Sequence, residues 1–171
     1  LEYLAQAVRQ INLESLNFEL SIAGIVDSDS SDPIGPGELE TICQTEGITF
    51  LGQVENIAKI LPAYDVVCLP TYYGEGIPRI LIDAAAIGRT IVTTPIGGCT
   101  EICINGYNGF QVEPRSVDSI AKVLNILLED RELLSEFGRN GRKLFLENFT
   151  NEVVFSEFDS VYSSLLDAPG G

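Results

Sequence analysis

The chain has 171 residues, 45% of them hydrophobic and 20% charged, with 10 Lys and Arg against 25 Asp and Glu for a formal net charge of −15. That length suits one domain with its own core, and it holds neither a signal-peptide pattern nor an apolar run near the ~20 residues that a membrane-spanning helix needs. The charge disfavours nucleic acid and anionic lipid surfaces as partners, but a small anion held by backbone N–H groups at a helix N-terminus remains open to an acidic protein.

Leu4, Ala7, Val8 and Ile11 recur at helical spacing and predict an amphipathic helix over residues 2–16. FELSIAG (18–24) predicts a strand, SDSSDPIGPG (28–37) a loop, and GELETICQTEG a helix closed by Gly47. ITFLG (48–52) is the next strand. A short helix over ENIAKILPAY leads into DVVCLP (65–70), a continuous apolar run of the kind found in a parallel strand covered on both faces. A helix follows from Pro78, then the strand TIVTT (90–94), the turn PIGG, and an extended piece GFQV (109–112). Residues 116–166 are nearly all helical in pattern, with breaks near Asp130 and Asn148. Strands alternating with helices imply a parallel sheet with right-handed crossovers, hence a doubly wound α/β domain. The loops after Gly24, Gly52, Pro70 and Thr94 then share the rim at the strands' carboxyl ends, where such sheets bind ligands.

On that rim stands YYGEGIPRILIDAAAIGR (72–89). Pro78 suits the first helical position, since its φ is already helical and its missing N–H would have no partner there. Glu75 is then just ahead of the N-terminus and Asp83 in the second turn, a separation close to two helical turns. A helix dipole accounts for Glu75, and solvent for Asp83, if each is taken alone. Location argues for more. Glu75 follows the most apolar strand, and Asp83, a poor helix former, is set among apolar and small residues. A carboxylate there needs donors, and the vicinal hydroxyls of a sugar would supply two. Gly76 permits close backbone approach, and the N–H groups of Gly76 and Ile77 are placed for an anion; Gly97–Gly98 offers a second cradle. Either glycine pair alone is an ordinary turn feature. Two on one rim say more.

Several chemistries are excluded or disfavoured. The chain has no histidine, so Ser–His and Cys–His catalysis are out. Asp27, Asp29 and Glu38 occupy positions 1, 3 and 12 of a calcium-loop pattern, but Asp32 stands where glycine is required and a strand precedes the loop. The Asp27–Ser28–Asp29 triplet also resembles the metal-binding aspartates of another sugar-transferase fold, a match short enough to arise by chance. Cys43, Cys68, Cys99 and Cys103 lack zinc-type pairing; Cys43 and Cys68 sit in apolar settings that suit reduced, buried thiols of a cytosolic protein, so the sequon Asn148–Phe149–Thr150 carries no weight. No metal or cofactor site is expected. No G-x-G-x-x-G follows an early strand, which argues against a dinucleotide dehydrogenase. Glu75 and Asp83 suit hydroxyl recognition better than a glycosidase pair. With no methionine and a start inside a helix, the expectation is a fragment of a longer polypeptide.

FLGQVENIAKILPAYDVVCLPTYYGEGIPRILIDAAAIGRTIVTT followed by GGCTEICINGYNGFQVEP resembles the carboxyl-terminal, nucleotide-sugar-binding domain of the family 4 retaining glycosyltransferases of the GT-B fold. The similarity runs from about residue 18 to at least 148, and EGIPR is most like bacterial enzymes of capsule, O-antigen or other surface polysaccharide. The resemblance implies a Rossmann-like domain over residues 1–171, lacking its first strand, with a C-terminal helix and tail from residue 149. It also implies retaining transfer from a nucleoside diphosphate sugar, UDP-sugar favoured, to an acceptor held by an absent N-terminal domain. In the family's E-x7-E motif the first acid contacts the donor sugar and the second the ribose; those positions are Glu75 and Asp83, the latter one methylene shorter than the usual glutamate. Gly76, Ile77 and Pro78 would line the sugar and phosphate, Gly97 and Gly98 the second cradle, and Gly52, Gln53 and Val54 the base. Pro95 departs from the aspartate common in this subgroup. The basic residues that neutralise the diphosphate would precede Leu1, so this segment alone is expected to be inactive. Alternatives are a non-catalytic sugar-nucleotide-binding module and a GT-B-type epimerase, the latter disfavoured by the lack of histidine. A cytoplasmic place is implied, compatible with the inner membrane face for the whole protein. The last helix is expected to pack toward the missing domain, or else on its own sheet; an exposed apolar strip there would mean dimerisation.

Overall fold

The computed structural model describes residues 1–13, 18–25, 34–74 and 76–166. Helix α1 (Glu2–Leu13) buries Leu4, Ala7, Val8 and Ile11, the stripe that the helical spacing marks. Strands β1 (Leu20–Ala23) and β2 (Ile48–Gly52) pair in parallel, with α2 (Pro36–Cys43) as the crossover between them. Gly47 does not cap α2, which ends at Cys43. It has φ +83, and a Cβ there would lie 2.8 Å from the Phe18 carbonyl oxygen. The glycine is therefore required by the tight turn into β2, next to the chain entering β1.

After α3 (Ile57–Ile60) and a 3-10 turn (Leu61–Ala63) come β3 (Val66–Leu69), α4 (Arg79–Ala86), β4 (Thr90–Thr93), α5 (Cys99–Ile102) and β5 (Gly109–Gln111). β3, β4 and β5 form a parallel sheet in that order. Helices α6 (Val117–Glu129), α7 (Arg131–Asn148) and α8 (Asn151–Leu166) finish the described chain. The breaks fall where the sequence places them, because a polar side chain caps each new helix. Ser116 Oγ accepts from Ser119 N–H at 3.2 Å, Asp130 from Leu133 N–H at 2.8 Å, and Thr150 from Val153 N–H at 3.3 Å.

The parallel strands lie in two pieces, β1–β2 and β3–β4–β5. Between β1 and β3 runs a largely apolar cleft of ≈ 860 Å³, lined by Leu20, Cys68, Leu124 and Leu127 among others. The facing edges of β1 and β3 have no ladder partner among the described strands. The halves are joined through α1, which packs on α6. One core cluster gathers α1, α6, the β1–β2 side and one face of the other sheet, through Val66, Cys68, Val92 and Phe110; a second, around α4 and α5, takes the opposite face through Val67 and Ile91.

The open cleft corrects the reading of DVVCLP as a strand covered on both faces. Only Val67 of β3 is buried, whereas β4 is buried at all four positions and is the true centre. Its polar members are satisfied: Thr90 Oγ1 donates to the Leu134 carbonyl at 3.0 Å and Thr93 Oγ1 to the Leu69 carbonyl at 2.8 Å. The cysteines are likewise rearranged. All four are free; Cys99 and Cys103 are buried, and Cys43 and Cys68 only half-buried. Burial pushes the Cys68 and Cys103 thiols up to about 12. α8 has no buried residue, which removes burial on its own sheet as its role; Phe155, Phe158, Val161, Tyr162 and Leu165 are exposed. Among the described residues no helix is long and apolar enough to cross a membrane.

Candidate functional site

The rim at the carboxyl ends of the strands brings the two glycine pairs together. A Cβ on Gly98 would lie 2.4 Å from the Ile77 nitrogen and 2.5 Å from the Gly76 carbonyl carbon, so the backbone after β4 abuts the backbone before α4. Side chains lock the two loops: Thr94 Oγ1 donates to the Thr71 carbonyl, and the Thr71 hydroxyl accepts from Tyr73 N–H at 3.2 Å. The backbone N–H groups of Gly76, Ile77, Gly97 and Gly98 donate to no described residue. Four unspent donors beside a helix N-terminus make a concentration of positive potential suited to an anion.

α4 begins one residue later than its proline suggests. Pro78 is the N-cap, with ψ 126, and its carbonyl accepts from Leu81 N–H at 3.0 Å. Residues 76–78 are therefore not helical, and Asp83 stands in the second turn of a helix that opens at Arg79. Glu75 lies outside the described residues. Asp83 is half-buried and paired with Arg79 at 3.8 Å, Arg79 being 91% exposed in its side chain and Asp83 26%. A pair with one partner so wet is weakly held, and the Asp83 carboxylate is available to another donor. Asp83, Gln53, Val54 and Gly24 line the same cleft. Gly52, with φ +67, turns the chain from β2 into that loop, and its carbonyl accepts from Gly24 N–H at 2.9 Å. The structure thus groups Asp83 with Gln53 and Val54, and Gly76 and Ile77 with Gly98.

Arg115 is the rim residue that sequence reasoning missed. Its guanidinium sits 4.2 Å from the centroid of the Tyr72 ring, and it has φ +58, unusual for a side chain other than glycine. No sequence pattern signals this, because the contact joins the loop after β5 to the loop after β3. The Asp27–Ser28–Asp29 loop lies outside the described residues, and among those described no group of three or more acids or cysteines is placed to hold a metal.

The family model for glycosyl transferases group 1 matches residues 1–130. The chain belongs to the group 1 glycosyl transferases. This transferase chain is 26% identical over 168 residues to the capsular polysaccharide biosynthesis glycosyltransferase CapM of Staphylococcus aureus, covering 98% of itself and 43% of that protein. It is 29% identical over 119 residues to an N-acetyl-alpha-D-glucosaminyl L-malate synthase of Bacillus anthracis, covering 70% and 31%. It therefore spans less than half the length of these curated relatives. Its fold matches Anabaena HepE, solved in complex with UDP, at a TM-score of 0.85 and 21% identity, over 95% of this chain and 44% of that one. The C-terminal domain of the group 1 protein LpcC from Francisella tularensis matches at 0.74 and 22% identity, over 87% and 78%. The fold is that of a GT-B carboxyl-terminal domain.

Proposed function

We propose that residues 1–171 form the donor-binding domain of a retaining glycosyltransferase that builds a surface glycan. The observation that carries this is the meeting of Gly76–Ile77 with Gly98, which sets unspent backbone N–H groups beside the N-terminus of α4. A diphosphate seated there takes charge-assisted hydrogen bonds, with no metal needed to hold it. Asp83 then takes a ribose hydroxyl pair, the loop Gly52–Gln53–Val54 approaches the base, Pro78 closes the sugar side, and Glu75 contacts the donor sugar. UDP-sugar is the favoured donor, supported by the fold's likeness to a UDP-bound protein. CapM as a relative supports a polysaccharide or lipid-linked acceptor, held by an N-terminal domain and met at the cytoplasmic membrane face.

The chemistry needs differential stabilisation of the departing diphosphate. Backbone donors supply part of it, and cations from outside these residues the rest. Electrostatic donors of this kind are each worth about 3–4 kcal/mol, so the 171 residues alone bind donor without transferring sugar; turnover by the isolated chain would refute that division. Calorimetric titration with UDP, GDP and ADP tests the binding. One nucleotide should bind, and Asp83→Ala should weaken it at least tenfold. Failure of all three to bind overturns the reading.

A further inference from the structure

At the opposite ends of the strands lies a second concavity. Asp65 immediately precedes β3 and Arg89 immediately precedes β4, and with Arg131, Arg139 and Arg142 of α7 they line a cavity of ≈ 500 Å³. The chain has 10 Lys and Arg in all and a net charge of −15, yet four arginines converge here against the single acid Asp65 among the lining residues. The Gly76–Gly98 rim is away across the sheet, by the length of a four-residue strand or about 13 Å, while Asp65 and Arg131 also border the cleft between β1 and β3.

The arginines are held in place. Gly88, φ +71, and Gly138 meet backbone to backbone: a Cβ on Gly138 would lie 2.2 Å from the Gly88 carbonyl oxygen. That contact seats α7 against the α4–β4 turn and aligns its arginine stripe with Arg89. Each guanidinium is then tethered. Arg89 donates to the Pro62 carbonyl at 2.7 Å, Arg131 to Asp65 at 3.2 Å, Arg139 to Ser135 Oγ at 2.7 Å, and Arg142 to the Ala86 carbonyl. A guanidinium has five N–H donors in a fixed fork, so one tether apiece orients it and leaves most donors free. Arg89 Nε is buried and has no hydrogen-bond partner among the described residues, so it is the outer guanidinium nitrogens of Arg89 that face the cavity it lines.

We propose that this pocket binds a phosphate-bearing anion, with Arg89 and Arg139 forming the fork and Arg131 and Arg142 supplying charge. Soluble phosphate esters and phospholipid headgroups share this chemistry. The test is amide NMR of the whole 171-residue chain titrated with inorganic pyrophosphate, because the backbone supplies its own reporters: Gly88 and Gly138 in the pocket, Gly76 and Gly98 on the donor rim. Saturable shifts at Gly88 and Gly138 are expected, at least tenfold weaker in affinity for Arg139→Gln, whose exposed side chain leaves the fold intact, and for Arg142→Gln, which lines this pocket and not the cleft between β1 and β3. Shifts confined to Gly76 and Gly98, none at all, or shifts unaltered by both variants overturn the proposal. Sedimentation with phosphatidylglycerol vesicles separates the sources: co-sedimentation lost in Arg139→Gln assigns the headgroup, and pyrophosphate shifts without co-sedimentation assign a soluble ligand.

Discussion

Replacing Gly98 by alanine tests the rim most directly. The residue has φ −67 and ψ −4, which alanine adopts without torsional cost, so the whole effect is steric. The added Cβ meets the Ile77 nitrogen at 2.4 Å, the Gly76 carbonyl carbon at 2.5 Å and the Ile77 Cα at 2.7 Å. Ordinary contact is about 3.5 Å, so the two loops must part by about 1 Å, and all three neighbours are backbone atoms that no rotamer change can move. Overpacking of this kind costs about 1–3 kcal/mol, offset by about 0.4–1 kcal/mol from the stiffer unfolded chain. Urea unfolding should show a lower midpoint with an unchanged slope, and the melting temperature should drop by about 2–4 °C per kcal/mol lost. Parting the loops also separates the N–H groups proposed to hold the diphosphate. With hydrogen bonds to a charged group worth about 1.5–3 kcal/mol each, nucleotide affinity should weaken about tenfold or more. Gly76→Ala is the contrast, since nothing lies within 4 Å of its Cβ: stability should hold while affinity falls, because the methyl stands where the ligand approaches. A Gly98→Ala protein with the parent's urea midpoint and affinity would refute the close approach.

Asp83→Ala breaks an ion pair whose Arg79 partner is 91% exposed, so stability from urea unfolding should change by no more than about 0.5 kcal/mol while nucleotide affinity falls at least tenfold. Asn108 is fully buried and bridges the Ile102 carbonyl at 2.8 Å and the Ile104 N–H at 2.7 Å; Asn108→Leu orphans both groups and should cost about 3 kcal/mol, read in the same urea assay. The Cys68 and Cys103 thiols have folded pKa values raised from 9.0 to about 12. The unfolded chain therefore releases these protons first, and the stability they contribute, complete below pH 9, is lost as pH rises toward 12. Cys68→Ala and Cys103→Ala should each flatten the fall in urea midpoint above pH 9, and Cys103, which is buried where Cys68 lines the cleft, should not react with iodoacetamide at pH 8 in the folded protein.

The sequence made the elements legible where periodicity and capping agree. α1 follows from the spacing of Leu4, Val8 and Ile11, and the joints of the C-terminal helices follow from Ser116 and Asp130, because those signals are local. Hydrophobicity misled where burial depends on neighbours. DVVCLP is more apolar than TIVTT, yet Thr90 and Thr93 are the buried residues, since their hydroxyls find carbonyls on α7 and β3 that no local pattern reveals. Of the site, the gathering of both glycine pairs on one rim was readable from strand order. The start of α4 at Arg79, the pairing of Asp83 with Arg79, and the stacking of Arg115 on Tyr72 were not, because each depends on the path of a loop in three dimensions.

The split between β1–β2 and β3–β4–β5 has a consequence for motion. No backbone ladder crosses the cleft among the described strands, so what couples the halves is side-chain packing: α1 on α6 and the shared cluster that holds Leu20 and Ile22 with Val66 and Val92. Packing of that kind opens in separate cooperative units. Amide hydrogen exchange should therefore divide the molecule in two: β4, buried along its whole length, exchanging only with global unfolding, and β1–β2 exchanging through a smaller and more frequent opening. The half that carries the Gln53–Val54 loop would then be the more yielding one, and the half that carries the Gly76–Gly98 rim the stiffer.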